Sequence, residues 1–279
     1  MVTQEQRRRQ LAREKFLRQQ QRRTSARRKA HARNAVIASV LGVIVVGSVV
    51  SYATGVFKKD DDDKSNAAAE ATPSASPSKA PDPCDKAAAG KVKSLTYKKE
   101  PAVTIDKSAD YTMKLQTTCG AIDIDMPASK APHTVNSFNF LVGKGYLDHT
   151  KCHRLTTNGI YVLQCGDPKG TGMGGPGYTI PDENLKDKRL KGNVYPAGTV
   201  AMANQYNAQT KEGRDSGGSQ FFLVYQDSQL PANYTPFGTI SASGMKVLKK
   251  IAAAGESTGQ GDGAPNATVV IDKATVTKS

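Results

Sequence analysis

The chain has 279 residues, 23% of them charged, and a formal net charge of +14. That length accommodates one folded domain of ordinary size with extensions. Residues 1–34 alone carry a net +10, which leaves +4 on the remainder. The basic character therefore belongs to a tail, and the folded part lacks the charge of a nucleic-acid-binding domain.

Residues 1–34 are rich in Arg and Gln, with Leu11, Phe16 and Leu17 the few apolar side chains. Such a tail buries no core. Residues 35–57 then run 23 positions without a charge. About 20 apolar residues cross a bilayer, and this length exceeds the apolar region of a secretory signal peptide. Ser51-Tyr52-Ala53 is a poor cleavage site. The run reads as a transmembrane signal anchor, and the positive-inside rule puts residues 1–34 in the cytoplasm and the rest outside. The tail sets topology and can also meet anionic lipid. Nucleic acid is disfavoured, because aromatic interleaving is absent.

Residues 58–100 read as a disordered linker. Asp60–Asp63 is a solvated charge run, and Thr72-Pro73-Ser74-Ala75-Ser76-Pro77 buries too little to order itself. Residues 101–279 hold the folded domain. Tyr111–Leu115 and Ala121–Met126 alternate apolar and polar residues and form a hairpin. Pro132–Gly143 is a helix, with Pro132 in its first turn and Val135, Phe138, Leu141 and Val142 on one face. A second hairpin turns at Asn158-Gly159. Strands follow at 198–203, 220–225 and 237–240, then a helix at 244–254 and a last strand at 269–276. Many short strands with two helices suggest a closed antiparallel barrel capped by the helices.

Three motifs carry chemistry or invite it. Gly172-Met173-Gly174-Gly175-Pro176-Gly177 fits the dinucleotide spacing, but Pro176 and Pro181 deny it the helix such a site needs. His149, Cys152, His153 and Cys165 have zinc-like identities, yet Cys152 and His153 are adjacent on a strand and point to opposite faces. The same geometry opposes a Cys–His nucleophile pair. The third is the second hairpin, which sets Arg154 and Gln164 beside the apolar Tyr161 and Val162. A fixed guanidinium next to an apolar wall suits polarising an amide.

Cys152-His153-Arg154-Leu155, then Gln164-Cys165-Gly166-Asp167, then Ala201-Met202-Ala203-Asn204 and Gly218-Ser219-Gln220-Phe221-Phe222, resemble the signature of the cyclophilin-type peptidyl-prolyl cis-trans isomerases. The likeness spans residues 111–277. The family usually reads Phe-His-Arg and Gln-Gly-Gly-Asp, so Cys152 and Cys165 depart from it, and the hairpin turn is two residues longer. The anchor, basic tail and Ala/Pro/Ser tether look like membrane-anchored actinobacterial members.

The resemblance implies a closed eight-stranded barrel with two capping helices. It implies isomerisation of X–Pro bonds in extracytoplasmic proteins by a single-pass membrane protein, with Pro-containing polypeptides as substrates and no cofactor or metal. Arg154 takes the catalytic role. Tyr161, Val162, Phe222 and Leu230 shape the proline pocket, Gln164, Ala203, Asn204 and Gln220 line the groove, and Tyr234 stands where many members have His. Gln229 stands where cyclosporin-sensitive members have Trp, and weak cyclosporin binding follows. A non-catalytic Pro-peptide-binding or holdase module of the same fold, again monomeric, is the competing expectation; retention of Arg154 favours the enzyme. Four cysteines outside the cytoplasm invite disulfides and allow three pairings. Cys152 and Cys165 lie on paired strands, but strict alternation would separate them if Arg154 and Gln164 share the groove face, unless a bulge intervenes. Cys84 and Cys119 complete the set. A bond from Cys84 would tie the linker to the barrel.

Overall fold

Alternation of buried and exposed side chains builds the first hairpin. Strand β1 (Asp110–Thr117) pairs with β2 (Gly120–Pro127), and Met113, Leu115, Ile122, Ile124 and Met126 all turn inward and are fully buried. In the computed structural model the described residues are 81–279. The basic tail, the charge-free run 35–57 and the first part of the linker lie outside them. Among the described residues no helix is long and apolar enough to cross a membrane.

Helix α1 (Pro132–Gly143) covers the bounds its pattern gives and buries Val135, Phe138, Leu141 and Val142. Its N-cap, Ala131, has no side-chain acceptor. Glu183 supplies one from a distant loop, accepting from the backbone N–H of His133 and Thr134 and from the Thr134 hydroxyl. A carboxylate there satisfies orphan donors and suits the positive end of the helix.

The remaining strands are β3 (Thr150–Lys151), β4 (Arg154–Thr156), β5 (Val162–Cys165), β6 (Val194–Tyr195), β7 (Thr199–Met202), β8 (Phe221–Val224), β9 (Ser228–Gln229), β10 (Pro236–Ile240), β11 (Asp262–Gly263) and β12 (Val270–Lys278). Helix α2 (Ala242–Ala253) packs on β2, with the Ser241 hydroxyl accepting from the Gly244 N–H as its cap. Phe138, Phe221 and Phe237 meet at the centre, with centroid distances of 4.9 Å to 6.5 Å.

The expected closed eight-stranded barrel is corrected. Ten strands form one open sheet in the order β11-β4-β5-β8-β7-β10-β2-β1-β12-β3, and β6 pairs separately with β9. The end strands β11 and β3 share no ladder. Their place is taken by the chain itself, which passes from β3 to β4 through Cys152 and His153. These two residues donate in different directions, Cys152 N–H to the Val269 carbonyl and His153 N–H to the Gln164 carbonyl. Neither residue belongs to a strand, so the ladder of β12 with β3 and the ladder of β4 with β5 end on either side of this step, and the barrel parts there.

The same step decides the cysteines. Arg154 is the partner of Gln164, yet the His153 N–H also reaches the Gln164 carbonyl. Two residues thus oppose one, which is a bulge, and Cys152 is left facing Cys165. The disulfides are Cys152–Cys165 and Cys84–Cys119. The second holds residues 81–100 along the domain: the Asp85 N–H donates to the Thr118 carbonyl, the Tyr97 N–H to the Pro176 carbonyl, and the Tyr97 ring meets Phe140 edge-on at 4.9 Å. That segment has no helix or strand of its own. Its position comes from these contacts, none of which shows in an Ala/Pro/Ser/Lys-rich composition.

Candidate active site

Four neighbouring strands set one row of side chains on the outer face of the sheet. Arg154 on β4 pairs with Gln164 on β5, Gln164 with Phe222 on β8, and Phe222 with Ala201 on β7. Alternation sends Leu155, Leu163, Cys165, Phe221, Leu223, Val200 and Met202 into the main core. The other parity builds a second, smaller apolar cluster of Val162, Tyr195, Ala201, Phe222 and Val224, with Ile160, Ala203, Leu230 and Tyr234 packed against it. Two-residue periodicity across the row therefore separates a core from a groove.

The groove has two adjoining cavities. One, of about 200 Å³, is lined by Arg154, Ile160, Val162, Gln164, Ala203, Asn204, Phe222, Leu230 and Tyr234. The Phe222 ring meets Tyr234 edge-on at 5.5 Å and Tyr195 at 6.2 Å. Tyr195 is fully buried, and burial pushes its hydroxyl up to about 12. As a donor it reaches the Tyr234 carbonyl at 2.7 Å and it accepts from the Tyr234 N–H at 3.1 Å, which fixes the loop that closes the pocket. The second cavity, about 210 Å³, shares Gln164, Ala203 and Asn204 and adds Gln220 and the glycine-rich loop 172–176.

A chain of hydrogen bonds orients the polar wall. Arg154 has only donors, so Gln164 must turn its carbonyl oxygen towards the guanidinium, Nη1 to Oε1 at 3.3 Å. The Gln164 amide then donates to Gln220 Oε1 at 2.9 Å, and the Gln220 amide to the Gly174 carbonyl at 2.8 Å. Each amide is thereby held in one orientation. Asp167 anchors the loop that Gly174 belongs to. Burial pushes its carboxyl up, but backbone N–H groups of Lys169, Gly174, Thr171 and Gly172 together outweigh this and hold it below the ordinary carboxylate value. Gly166 beside it has φ of 89°, and a Cβ there would run into the Ser219 carbonyl.

Asn204 spends its side chain internally. Its amide donates to the Asn233 carbonyl and to Asp182, and its oxygen accepts from the Tyr206 N–H. Its own backbone N–H and carbonyl make no hydrogen bond among the described residues, so they are what it offers to the groove. Tyr161 is not brought into the cavity lining; its ring lies against Tyr225 at 5.9 Å, and Ile160 takes the place beside Val162. Alternation is the reason: Ile160, Val162 and Gln164 share one parity, and Tyr161, whose carbonyl accepts from the Tyr225 N–H, takes the other.

Two groups were not singled out in the sequence. Ile160 precedes β5, and its spacing of two from Val162 is the signal that could have found it. Asp262 lies 108 residues from Arg154 in a Gly-rich loop, and only the pairing of β11 with β4 brings it close. Its hydrogen bonds with Arg154 hold its carboxyl below the ordinary value and raise the guanidinium above its own. Both groups are thus charged throughout the neutral range. His153, in the step between β3 and β4, has no hydrogen-bond partner for either ring nitrogen among the described residues, and burial pushes its pKa down.

Residues 112–276 match the family model described as cyclophilin type peptidyl-prolyl cis-trans isomerase/CLD. The chain belongs to that family. It is 47% identical over 172 residues to a probable peptidyl-prolyl cis-trans isomerase B of Mycobacterium leprae, covering 59% of this chain and 56% of that protein. It is 45% identical over 171 residues to a protein of the same description from Mycobacterium tuberculosis, covering 58% and 53%. A peptidyl-prolyl cis-trans isomerase of Helicobacter pylori is 37% identical over 147 residues, 52% of this chain and 81% of that protein. The chain thus spans about half the length of the mycobacterial relatives.

Proposed function

We propose that this chain accelerates cis–trans isomerisation of X–Pro bonds in polypeptides outside the cytoplasm, with Arg154 as the catalytic residue. The observation that carries the reading is the row Arg154–Gln164–Phe222–Ala201, which stands one guanidinium beside an apolar cavity of about 200 Å³. The cavity lining contains no Ser, Cys, His, Lys or carboxylate. Rotation about an amide needs none of them, because no covalent bond is broken.

The barrier is the loss of amide resonance, about 18–20 kcal/mol. As the bond twists, the prolyl nitrogen becomes pyramidal and its lone pair localises. Arg154 donates to the prolyl carbonyl and favours that lone pair, while Phe222, Val162 and Leu230 grip the ring. Gln164 and the backbone of Asn204 hold the flanking chain. The ring and the prolyl carbonyl stay seated while the carbonyl of the preceding residue swings, and the guanidinium favours the localised nitrogen lone pair that exists only in the twisted state, the condition for catalysis. One chain supplies every groove residue, so the catalyst is proposed as a monomer.

The location rests on the sequence. The net +10 of residues 1–34 and the charge-free run 35–57 favour a membrane anchor with the domain outside the cytoplasm. Two disulfides support an oxidising compartment.

The test is exchange spectroscopy on an Ala-Pro peptide with the purified full chain and its Arg154→Ala variant. Acceleration by the wild type and a loss of about a hundredfold or more in kcat/KM in the variant is the expected result. An Arg154→Ala protein as fast as wild type would overturn the assignment, and an inactive, folded wild type would favour the binding module.

A further inference from the structure

A guanidinium has five N–H donors. In Arg154 two of these, on Nε and Nη2, meet the two carboxylate oxygens of Asp262 at 2.7 Å each. The pairing of β11 with β4 sets Asp262 opposite Thr156, on the Arg154 face and two residues along. Such a diagonal neighbour is about 7–8 Å away, within reach of an arginine. A third donor, on Nη1, goes to Gln164. One donor on Nη1 and one on Nη2 then remain without a partner among the described residues, and Arg154 lines the proline-sized cavity.

We propose that Asp262 is a positioning residue for the isomerisation, a proposal that rests on Arg154 being the catalytic residue. A free arginine distributes its donors over many rotamers. Two parallel hydrogen bonds to one carboxylate fix both the plane and the direction of the guanidinium. Asp262 and Gln164 take three donors, and the edge that is left is the one available to the prolyl bond. Asp262 touches no substrate. It acts through Arg154.

The pair is not a stability device. The side chains of Arg154 and Asp262 are 39% and 54% exposed, and exposed ion pairs contribute little to folding. The prediction is therefore a change in rate with little change in melting temperature.

The experiment measures kcat, KM and thermal unfolding for the full chain with Asp262→Ala, Asp262→Asn, Arg154→Ala and the double variant Arg154→Ala/Asp262→Ala. The expected result is a fall of about tenfold or more in kcat for Asp262→Ala, since misplacing a reacting group is costly, with KM changed less than about twofold. Asp262→Asn keeps one acceptor and falls between. The double variant equals Arg154→Ala, because Asp262 has nothing left to act through. Full activity in Asp262→Ala overturns the proposal. So does a loss confined to KM, or a further loss on adding Asp262→Ala to Arg154→Ala, which would mark a structural role. If Asp262→Ala unfolds, Asp262→Asn carries the same cycle. Inactivity of the folded wild type removes the isomerase reading first and this one with it.

Discussion

Removing the Cys152–Cys165 bond, by the double variant Cys152→Ala/Cys165→Ala, separates the contribution of a cross-link from that of the groove. The two cysteines are 13 residues apart and enclose Arg154, Gln164 and the whole turn of the catalytic hairpin. Constraint of the unfolded chain by a loop of that length is worth about 3 kcal/mol. For a domain of 150–250 residues each kcal/mol moves the midpoint by about 2–4 °C, so the variant should melt about 6–12 °C below wild type. The folded state loses something too. The bulge at His153 aligns Arg154 with Gln164, and the cross-link holds both of its ends. Below the transition of either protein, kcat/KM on an Ala-Pro peptide should therefore fall several-fold. Calorimetry and exchange spectroscopy on the two proteins read both effects. An unchanged midpoint would show that the bond does not limit the unfolded chain. Unchanged kcat/KM would show that β4 and β5 keep their register without it, and that the bulge at His153 owes nothing to the cross-link.

The other bond closes a longer loop, with a separation of 35 residues, so the same argument assigns Cys84→Ala/Cys119→Ala a loss of about 4 kcal/mol, read by thermal unfolding. Phe222→Ala opens a void under Tyr234 and Tyr195 and should cost about 3–5 kcal/mol; urea titration measures it, and KM for the peptide should rise as the proline ring loses its floor. Arg154 and Asp262 keep their charges between about pH 5 and 9, so kcat/KM should be flat across that range, and a bell-shaped profile would point to a titrating acid or base instead. Burial pushes the His153 pKa below its ordinary 6.5. The unfolded chain then binds a proton that the folded chain resists, so stability is lost as pH falls below about 6.5, and His153→Gln should lessen that slope in denaturant titrations at pH 8 and 5.5.

Periodicity and motif carried the sequence far. Helix α1 runs over the residues its apolar stripe and Pro132 indicate, and Arg154, Gln164 and Phe222 share a face because side chains alternate along every strand. These are local properties, written in spacings of two and of three to four residues, and no distant contact overrides them. What the sequence could not decide depends on how strand ends meet. Strict alternation would have separated Cys152 from Cys165, and one extra residue at His153 reverses that parity. A bulge of this kind has no composition. The parting of the barrel lies at the same step, where residues 152 and 153 belong to no strand. Ile160, and not Tyr161, shares the groove face with Val162 and Gln164, a spacing of two that the sequence did contain. Residues 81–100 gain their place from a cysteine, a tyrosine and a few backbone donors in a segment whose average composition argues for disorder. Asp262 is the plainest case. In the sequence it is one acidic residue among glycines, and a two-residue strand lays its carboxylate on the guanidinium at the centre of the site. Local pattern settles which way a side chain faces. Only the closed set of long-range pairings settles what it faces, because a hydrogen bond or a disulfide is sensitive to shifts of an ångström that sequence periodicity does not encode.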